Sequence, residues 1–236
     1  MSNEFPSIWF DTFLSPVNSA PVHRELDFVQ EHLPLADFRS LLDVPCGIGR
    51  HSGPLKELGY DVVGIDRSES ALEVARRMYP TVEFRTLDML RVSELGEGRF
   101  DGALCLWQSF GFGDSVENQS LLADFRHVLR PGGRFLMDVY NADAVNQLPD
   151  ESTEERNGRL VHTRRARSGR RLRVEIEYSG SEVQDVHDWE IYGPSDFEDI
   201  ANRAGLDVLL SCAWFDATVP PSEDHLRMQF LLERRA

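Results

Sequence analysis

The sequence predicts an α/β fold: a mostly parallel sheet with helices on both faces and an antiparallel meander inserted late in the chain. Three observations lead to it. Between about residues 24 and 140, short apolar runs alternate with amphipathic segments, which is the pattern of repeated βα units. The first run, Leu41-Leu42-Asp43-Val44, passes into the turn Pro45-Cys46-Gly47-Ile48-Gly49, whose glycines let backbone amides approach a ligand closely. Beyond Asn141 the pattern changes to residue-by-residue alternation, as in antiparallel strands with one solvated face.

In chain order, an amphipathic segment at 23–33 precedes the strand at 41–44. A helix at 54–58 stops at Gly59, where a C-cap is expected. The strand at 61–65 leads to Asp66, and Ser68 is placed to cap a helix with Ala71, Leu72 and Ala75 on one face. A third strand at 82–86 is followed by Asp88, and a fourth spans 100–107. The helix at 118–129 ends at Arg130-Pro131-Gly132-Gly133, which does not continue a helix, and a fifth strand covers 134–140. A polar stretch through Gly158 leads into alternating segments at 160–164, 172–178 and 183–192, turned at Gly169 and Gly180. Ser195-x-x-Glu198 reads as a capping box for a helix to Ala204 that Gly205 ends, and strands at 206–215 and 226–233 close the sheet.

Length and composition bound the function. With 236 residues and 41% hydrophobic content, the chain suits one α/β domain with an elaboration. No apolar run reaches the roughly 18 to 20 residues needed to span a bilayer, and the first residues lack the basic and apolar regions of a signal peptide, so a cytoplasmic protein is expected. Cys46, Cys105 and Cys212 are odd in number and far apart, which argues against disulfides and a zinc cluster; no metal is expected. A net charge of −15 disfavours nonspecific binding to nucleic acid or anionic membrane. One stretch runs the other way: Arg156, Arg159, Arg164, Arg165, Arg167, Arg170, Arg171 and Arg173 occur with no acid among them. They read either as a solvated hairpin face or as an anion-binding or subunit-contacting surface, with a homodimer as one outcome.

The chemistry concentrates around the first turn. A carboxylate at the end of the second strand, Asp66, is suited to accept ribose hydroxyls, so glycine turn and acid together read as a nucleoside site. Each has a bland explanation, since turns use glycine regardless of ligand, Asp66 can serve as a helix-start acid beside Ser68, and Asp88 can be a surface-loop acid. A nicotinamide dehydrogenase is the nearest competitor, but Ser52 stands where its third glycine belongs.

Four ordered signals carry a family resemblance: Asp43-Val44-Pro45-Cys46-Gly47-Ile48-Gly49-Arg50-His51, the Asp66 strand end, Leu87-Asp88-Met89, and the Arg130-Pro131-Gly132-Gly133 turn. Over residues 24–140 the chain resembles class I S-adenosylmethionine-dependent methyltransferases. The resemblance implies a Rossmann-like seven-stranded sheet and S-adenosylmethionine as cofactor, with S-adenosylhomocysteine as its product. It implies that Gly47 and Gly49 carry the methionine portion and ribose, Asp66 the ribose, and Asp88 the adenine amine, with Asp43, Pro45, Cys46, Arg50, Arg67, Met89, Trp107 and Gln108 completing the cofactor set. Pro45 replaces the usual first glycine and lacks an N–H, which leaves only its carbonyl for bonding. Arg50 and His51 read either as contacts to the methionine carboxylate or as the start of a helix.

An open α/β sheet places its crevice at the carboxyl ends of its strands. Substrate contacts are therefore expected from Trp9, Ser109, Phe110, Tyr140 and Asn141, with Phe112 between Gly111 and Gly113 extending the rim. The organisation expected is an N-terminal helical lid over 1–40 that includes Phe10 and Phe13, a cofactor-binding domain from 41–141 and 193–236, and a substrate cover or dimerisation element at 142–192. The reaction the resemblance implies is in-line methyl transfer to a small-molecule acceptor at O, N or C, in which positioning does most of the work. A general base is optional; Tyr140, His187, Tyr192 and His162 are the candidates. The alternatives are an RNA or protein methyltransferase using the arginine stretch, and a cofactor-binding protein without turnover.

Overall fold

The computed structural model describes residues 7–13 and 19–235, apart from the side chains of Ser7 and Phe10. Of the lid expected over 1–40, residues 1–6, 14–18 and the Phe10 side chain thus lie outside the described residues. Helices α1 (Ser7–Phe13) and α2 (Ala20–His32) come first, then β1 (Ser40–Asp43), α3 (Ser52–Glu57), β2 (Asp61–Asp66), α4 (Glu69–Met78) and β3 (Glu83–Thr86). A 3-10 helix (Met89–Leu95), β4 (Phe100–Cys105), α5 (Ser115–Val128), β5 (Leu129–Tyr140) and α6 (Ala142–Val145) follow. The chain then forms β6 (Glu151–Arg156), β7 (Arg159–Ser168), β8 (Arg171–Tyr178) and β9 (Gln184–Glu190), and returns through α7 (Pro194–Arg203) to β10 (Leu206–Cys212) and β11 (Arg227–Arg234).

The large sheet has seven strands in the order β10-β11-β5-β4-β1-β2-β3, and only β11 runs against its neighbours. The chain builds outward from β1 through β2 to β3 and then crosses to β4 on the other side of β1. That reversal opens a crevice between the carboxyl ends of β1 and β4. Strand alternation supplies both cores: Leu42, Ile65, Cys105 and Met137 face α5 and α7, whereas Leu41, Val62, Leu104 and Leu136 face α2, α3 and α4.

The meander is a separate antiparallel sheet in the order β6-β7-β8-β9. Its inner face, with Val161, Leu172, Val174, Ile176 and Trp189, packs against Val145, Tyr140 and Phe112, and against Ile8 and Phe13 of α1. The expected polar stretch before Gly158 instead contains strand β6; its sequence Glu-Ser-Thr-Glu-Glu-Arg has no apolar alternation, and backbone pairing to β7 holds it. Gly169 and Gly180 do turn the hairpins, at φ +58° and +75°.

Three further expectations are corrected. Strand four stops at Cys105 because Trp107 and Gln108 take positive φ and turn the chain away. Strand five begins at Leu129, paired with Phe100, and Arg130-Pro131-Gly132-Gly133 bulges out before pairing resumes at Arg134. Ser195 and Glu198 form no capping box: α7 starts at Gly193-Pro194 without a side-chain cap. The box occurs at Asp114 and Glu117 on α5, where the Asp114 carboxylate accepts the Val116 and Glu117 amides and Glu117 accepts the Asp114 amide.

Half of the arginine stretch is paired with acids. Arg164 pairs with Glu151 and Glu177, Arg167 with Asp150, Arg173 with Glu175 and Asp188, and Arg156 with Glu154. The arginines do not share a face. Arg165 and Arg167 are registered beside Val174 and Leu172 on the inner side, while Arg164 is registered beside Glu175 on the outer side. The acids that neutralise them lie on β6, β8 and β9 and just before β6, so a search within residues 156–173 misses them.

Candidate functional site

A cleft of about 710 Å³ opens at the carboxyl ends of β1, β2 and β4. A volume in this range accommodates a ligand of nucleoside-conjugate size. Its floor is the turn after β1. Gly47 has φ +53°, and a Cβ built on it meets nothing within 4 Å, so the turn presents open backbone there. Cys46 N–H donates to Ile65 O at 2.8 Å and Val44 N–H to Leu104 O at 3.0 Å, which ties the turn to β2 and β4. Asp66 fixes its outer side: Oδ2 accepts the Gly47 amide and Oδ1 the Ser68 amide, both at 2.8 Å.

Asp66 is 9% exposed, and burial raises its carboxyl above the usual range against the opposing effect of those two amides. Asp43 is almost fully buried and accepts the Ser52 hydroxyl at 2.5 Å; burial raises its carboxyl too. Asp88 caps the 3-10 helix by accepting the Leu90 amide at 2.9 Å while lining the cleft with Leu87, Met89 and Leu90. Burial pushes the Cys46 thiol far up, so it is un-ionised at neutral pH.

The inner end of the cleft is held by a residue that the sequence reading passed over. Glu25 of α2, 1% exposed, accepts Trp107 Nε1 at 3.0 Å, contacts His51 Nε2 at 2.7 Å and lies 3.6 Å from an Arg50 terminal nitrogen. Burial acts to raise the Glu25 carboxyl, but His51, Arg50 and Arg227 outweigh it and hold the group below the ordinary value. The Arg50 guanidinium sits 4.0 Å from the Trp107 ring centre, with Arg227 at 5.3 Å. One signal was available: Glu25 falls among Val22, Leu26 and Val29, an acid on the apolar stripe of an amphipathic helix. Asp138 is a second such acid, fully buried in β5, where it accepts Gln229, Gln108 and the Trp107 amide.

Of the expected cofactor residues, Asp43, Pro45, Cys46, Gly47, Arg50, Asp66, Arg67, Asp88, Met89 and Trp107 line the cleft, as do Trp9 and Ser109 from the substrate set. Phe112, Gly113 and Glu117 complete the wall opposite the acids. Other residues point elsewhere. Gly49 faces the packing side, where an added Cβ would come 2.9 Å from the Phe84 ring and 3.1 Å from Tyr79. Gln108 turns to Asp138, with Nε2 2.6 Å from Oδ2. Phe110 is buried against Tyr192 and Phe197, and Tyr140 packs edge-on to Trp189. Asn141 caps α6 and donates to Ser222 O.

None of the candidate bases lines the cleft. His187 is wholly buried in the small sheet, and burial depresses its pKa to about 4. Tyr192 is buried beside Asn118 with its hydroxyl pushed up by burial and Glu190, and His162 lies in β7 within reach of Thr153. The sequence reading had no means to fix which face each strand residue takes, since a shift of one position reverses all of them.

A glycine turn after the first strand, an acid ending the second and a crevice at the strand-order reversal belong to a Rossmann-like fold that solved S-adenosylmethionine-dependent methyltransferase structures share. Residues 41–133 match the family described as "Methyltransferase domain". The chain is 28% identical over 195 residues to the dTDP-3-amino-3,4,6-trideoxy-alpha-D-glucopyranose N,N-dimethyltransferase of Streptomyces venezuelae, covering 77% of this chain and 80% of that protein. It is 30% identical over 127 residues to the ubiquinone biosynthesis O-methyltransferase of Alkalilimnicola ehrlichii, covering 52% of this chain and only 50% of that protein. The chain thus spans about half the length of that relative, and less of the human glycine N-methyltransferase, at 42%. The structure of the CcbJ methyltransferase from Streptomyces caelestis shares the fold at a TM-score of 0.81 and 19% identity, covering 96% and 95% of the two chains. Among the described residues no helix is long and apolar enough to cross a membrane.

Proposed function

We propose that this protein transfers a methyl group from S-adenosylmethionine to a small-molecule acceptor. The observation that carries the reading is the double role of Asp66, which anchors both the open Gly47 turn and the start of α4 at the floor of a 710 Å³ cleft. The residues fit the cofactor. Its ribose and adenine offer hydroxyl and amine donors that Asp66 and Asp88 would accept, and its amino-acid tail offers a carboxylate to Arg50. A bound cofactor supplies a methyl carbon on a cationic sulfur. The chain's own residues orient that tail, enclose the reacting region with Trp9, Trp107 and Phe112, and exclude water from it.

The small sheet is the acceptor-side cover in this reading. Arg171 donates to Gly113 O at 2.7 Å, Trp189 Nε1 to Gln108 O at 3.1 Å, and Glu190 accepts Ser115 and Asn118. The wall from Ser109 to Glu117 is thereby pinned to β8 and β9. A dimerisation role for the inner face is disfavoured because α1, α6 and Tyr140 of the same chain already fill it. The pairing of the arginines with acids disfavours an RNA acceptor. An acceptor screen with radiolabelled methyl donor tests the proposal: transfer to amine, hydroxyl or activated-carbon small molecules supports it, and transfer confined to RNA or protein would replace it. Cofactor binding without turnover on any of these would leave the non-catalytic reading.

A further inference from the structure

Glu25 sits outside the glycine turn, yet the three side chains it holds are those facing the inner end of the cleft. Arg50 and Trp107 line the cleft, as does His51, and Glu25 reaches all three from α2. Each of its oxygens is committed, Oε1 to the indole N–H and Oε2 to His51 and Arg50. Arg50 is 5% exposed, and its other terminal nitrogen, Nη1, is buried with no hydrogen-bond partner among the described residues. Leaving a guanidinium N–H buried and unpaired costs free energy, which a ligand anion would recover.

We infer that Glu25 is a positioning residue that holds Arg50, against the Trp107 ring, with Nη1 presented to the carboxylate of a ligand's amino-acid tail. The inference rests on the cofactor reading above and deepens it. It divides the cleft in two: the Asp66 end recognises the nucleoside, and the Glu25–Arg50 end recognises the α-carboxylate, so the two ends contribute separately to affinity. Loss of the Glu25 charge frees the indole and the guanidinium to rotate, which weakens ligands that have the tail and spares those that lack it.

The test is calorimetry with two probes, S-adenosylhomocysteine, which carries the carboxylate, and 5′-methylthioadenosine, which lacks it. Glu25→Gln should weaken the first about tenfold or more, the scale of one charge-assisted hydrogen bond, and change the second by less than about twofold. Glu25→Asp, which keeps the charge on a shorter stem, should restore part of the loss. Arg50→Lys should show the same selectivity, and if Glu25→Gln does not fold, a selective partial loss in Glu25→Asp decides the matter. Equal losses for both probes, or no loss for either, would overturn the role. Failure of the unaltered protein to bind either probe would instead overturn the cofactor reading.

Discussion

Asp66 and Gly47 are joined by a 2.8 Å hydrogen bond in which the carboxylate Oδ2 accepts the glycine amide, so the second strand fixes the cleft-facing turn of the first. Because Oδ1 accepts Ser68 N–H at the same distance, one side chain sets both the turn and the start of α4. The helix-start role of Asp66 is thus observed, and its proposed ligand role uses the same carboxylate. Replacement by alanine should weaken S-adenosylhomocysteine binding by about 1.5 to 3 kcal/mol and lower thermal stability as well, since two amides lose their acceptor. Calorimetry beside a melting curve checks it, and a stability loss with unchanged affinity would confine Asp66 to a structural role.

The two glycines of the turn should separate in their effects. Gly49→Ala places a methyl at φ +79° against the Phe84 and Tyr79 rings and should cost about 1 to 3 kcal/mol of stability, read from denaturant unfolding. Gly47→Arg is strained at φ +53° but meets no atom within 4 Å on the cleft side, so it should abolish cofactor binding at a smaller cost in stability. The reverse pattern would mean that the turn faces away from the ligand.

Sequence patterning revealed the order of strands and helices because each apolar run is bounded by turn residues whose backbone needs are local. Gly59 and Gly205 do lie at helix ends with positive φ, and Ser68 does cap α4. The Asp66 end of the cleft was legible for the same reason, as Gly47 and Asp66 sit at strand ends. Arg50 and His51 were also among the candidates, but Glu25 was not, because it reaches Trp107 across 82 positions of sequence and no local pattern reports such a contact. The base candidates lie outside the cleft lining for a related reason. Positive φ at Trp107 and Gln108 swings the chain after β4, and the register of β9 buries His187 on the side away from water.

The arginine stretch should behave as structure rather than as a binding surface. Arg167 is tied to Val145 O and Leu148 O as well as Asp150, so Arg167→Ser should cost about 1 to 3 kcal/mol of stability. Arg164 makes exposed pairs, and Arg164→Ser should leave stability close to that of the unaltered protein. Chemical denaturation of both variants checks the contrast. Affinity for S-adenosylmethionine should remain within about threefold in each, because neither side chain lines the cleft.

His187 predicts a specific acid sensitivity. Its pKa falls from 6.5 in the unfolded chain to about 4 in the fold, so between those values the unfolded chain holds a proton that the native chain refuses. The stabilisation is fully present above pH 6.5 and is lost as pH falls towards 4. Comparing unfolding free energies at pH 7 and pH 4.5, His187→Gln should lose about 2.5 kcal/mol less than the unaltered protein. Parallel losses in both would place the acid sensitivity in other groups.

Whether the cleft beneath the Gly47 turn holds S-adenosylmethionine is decided by titration calorimetry of the purified protein. Saturable binding of one S-adenosylmethionine or S-adenosylhomocysteine per chain is expected, with no comparable heat with NAD and loss of binding in Gly47→Arg. A well-folded protein that binds neither S-adenosyl compound, or that prefers NAD, would contradict the cofactor reading.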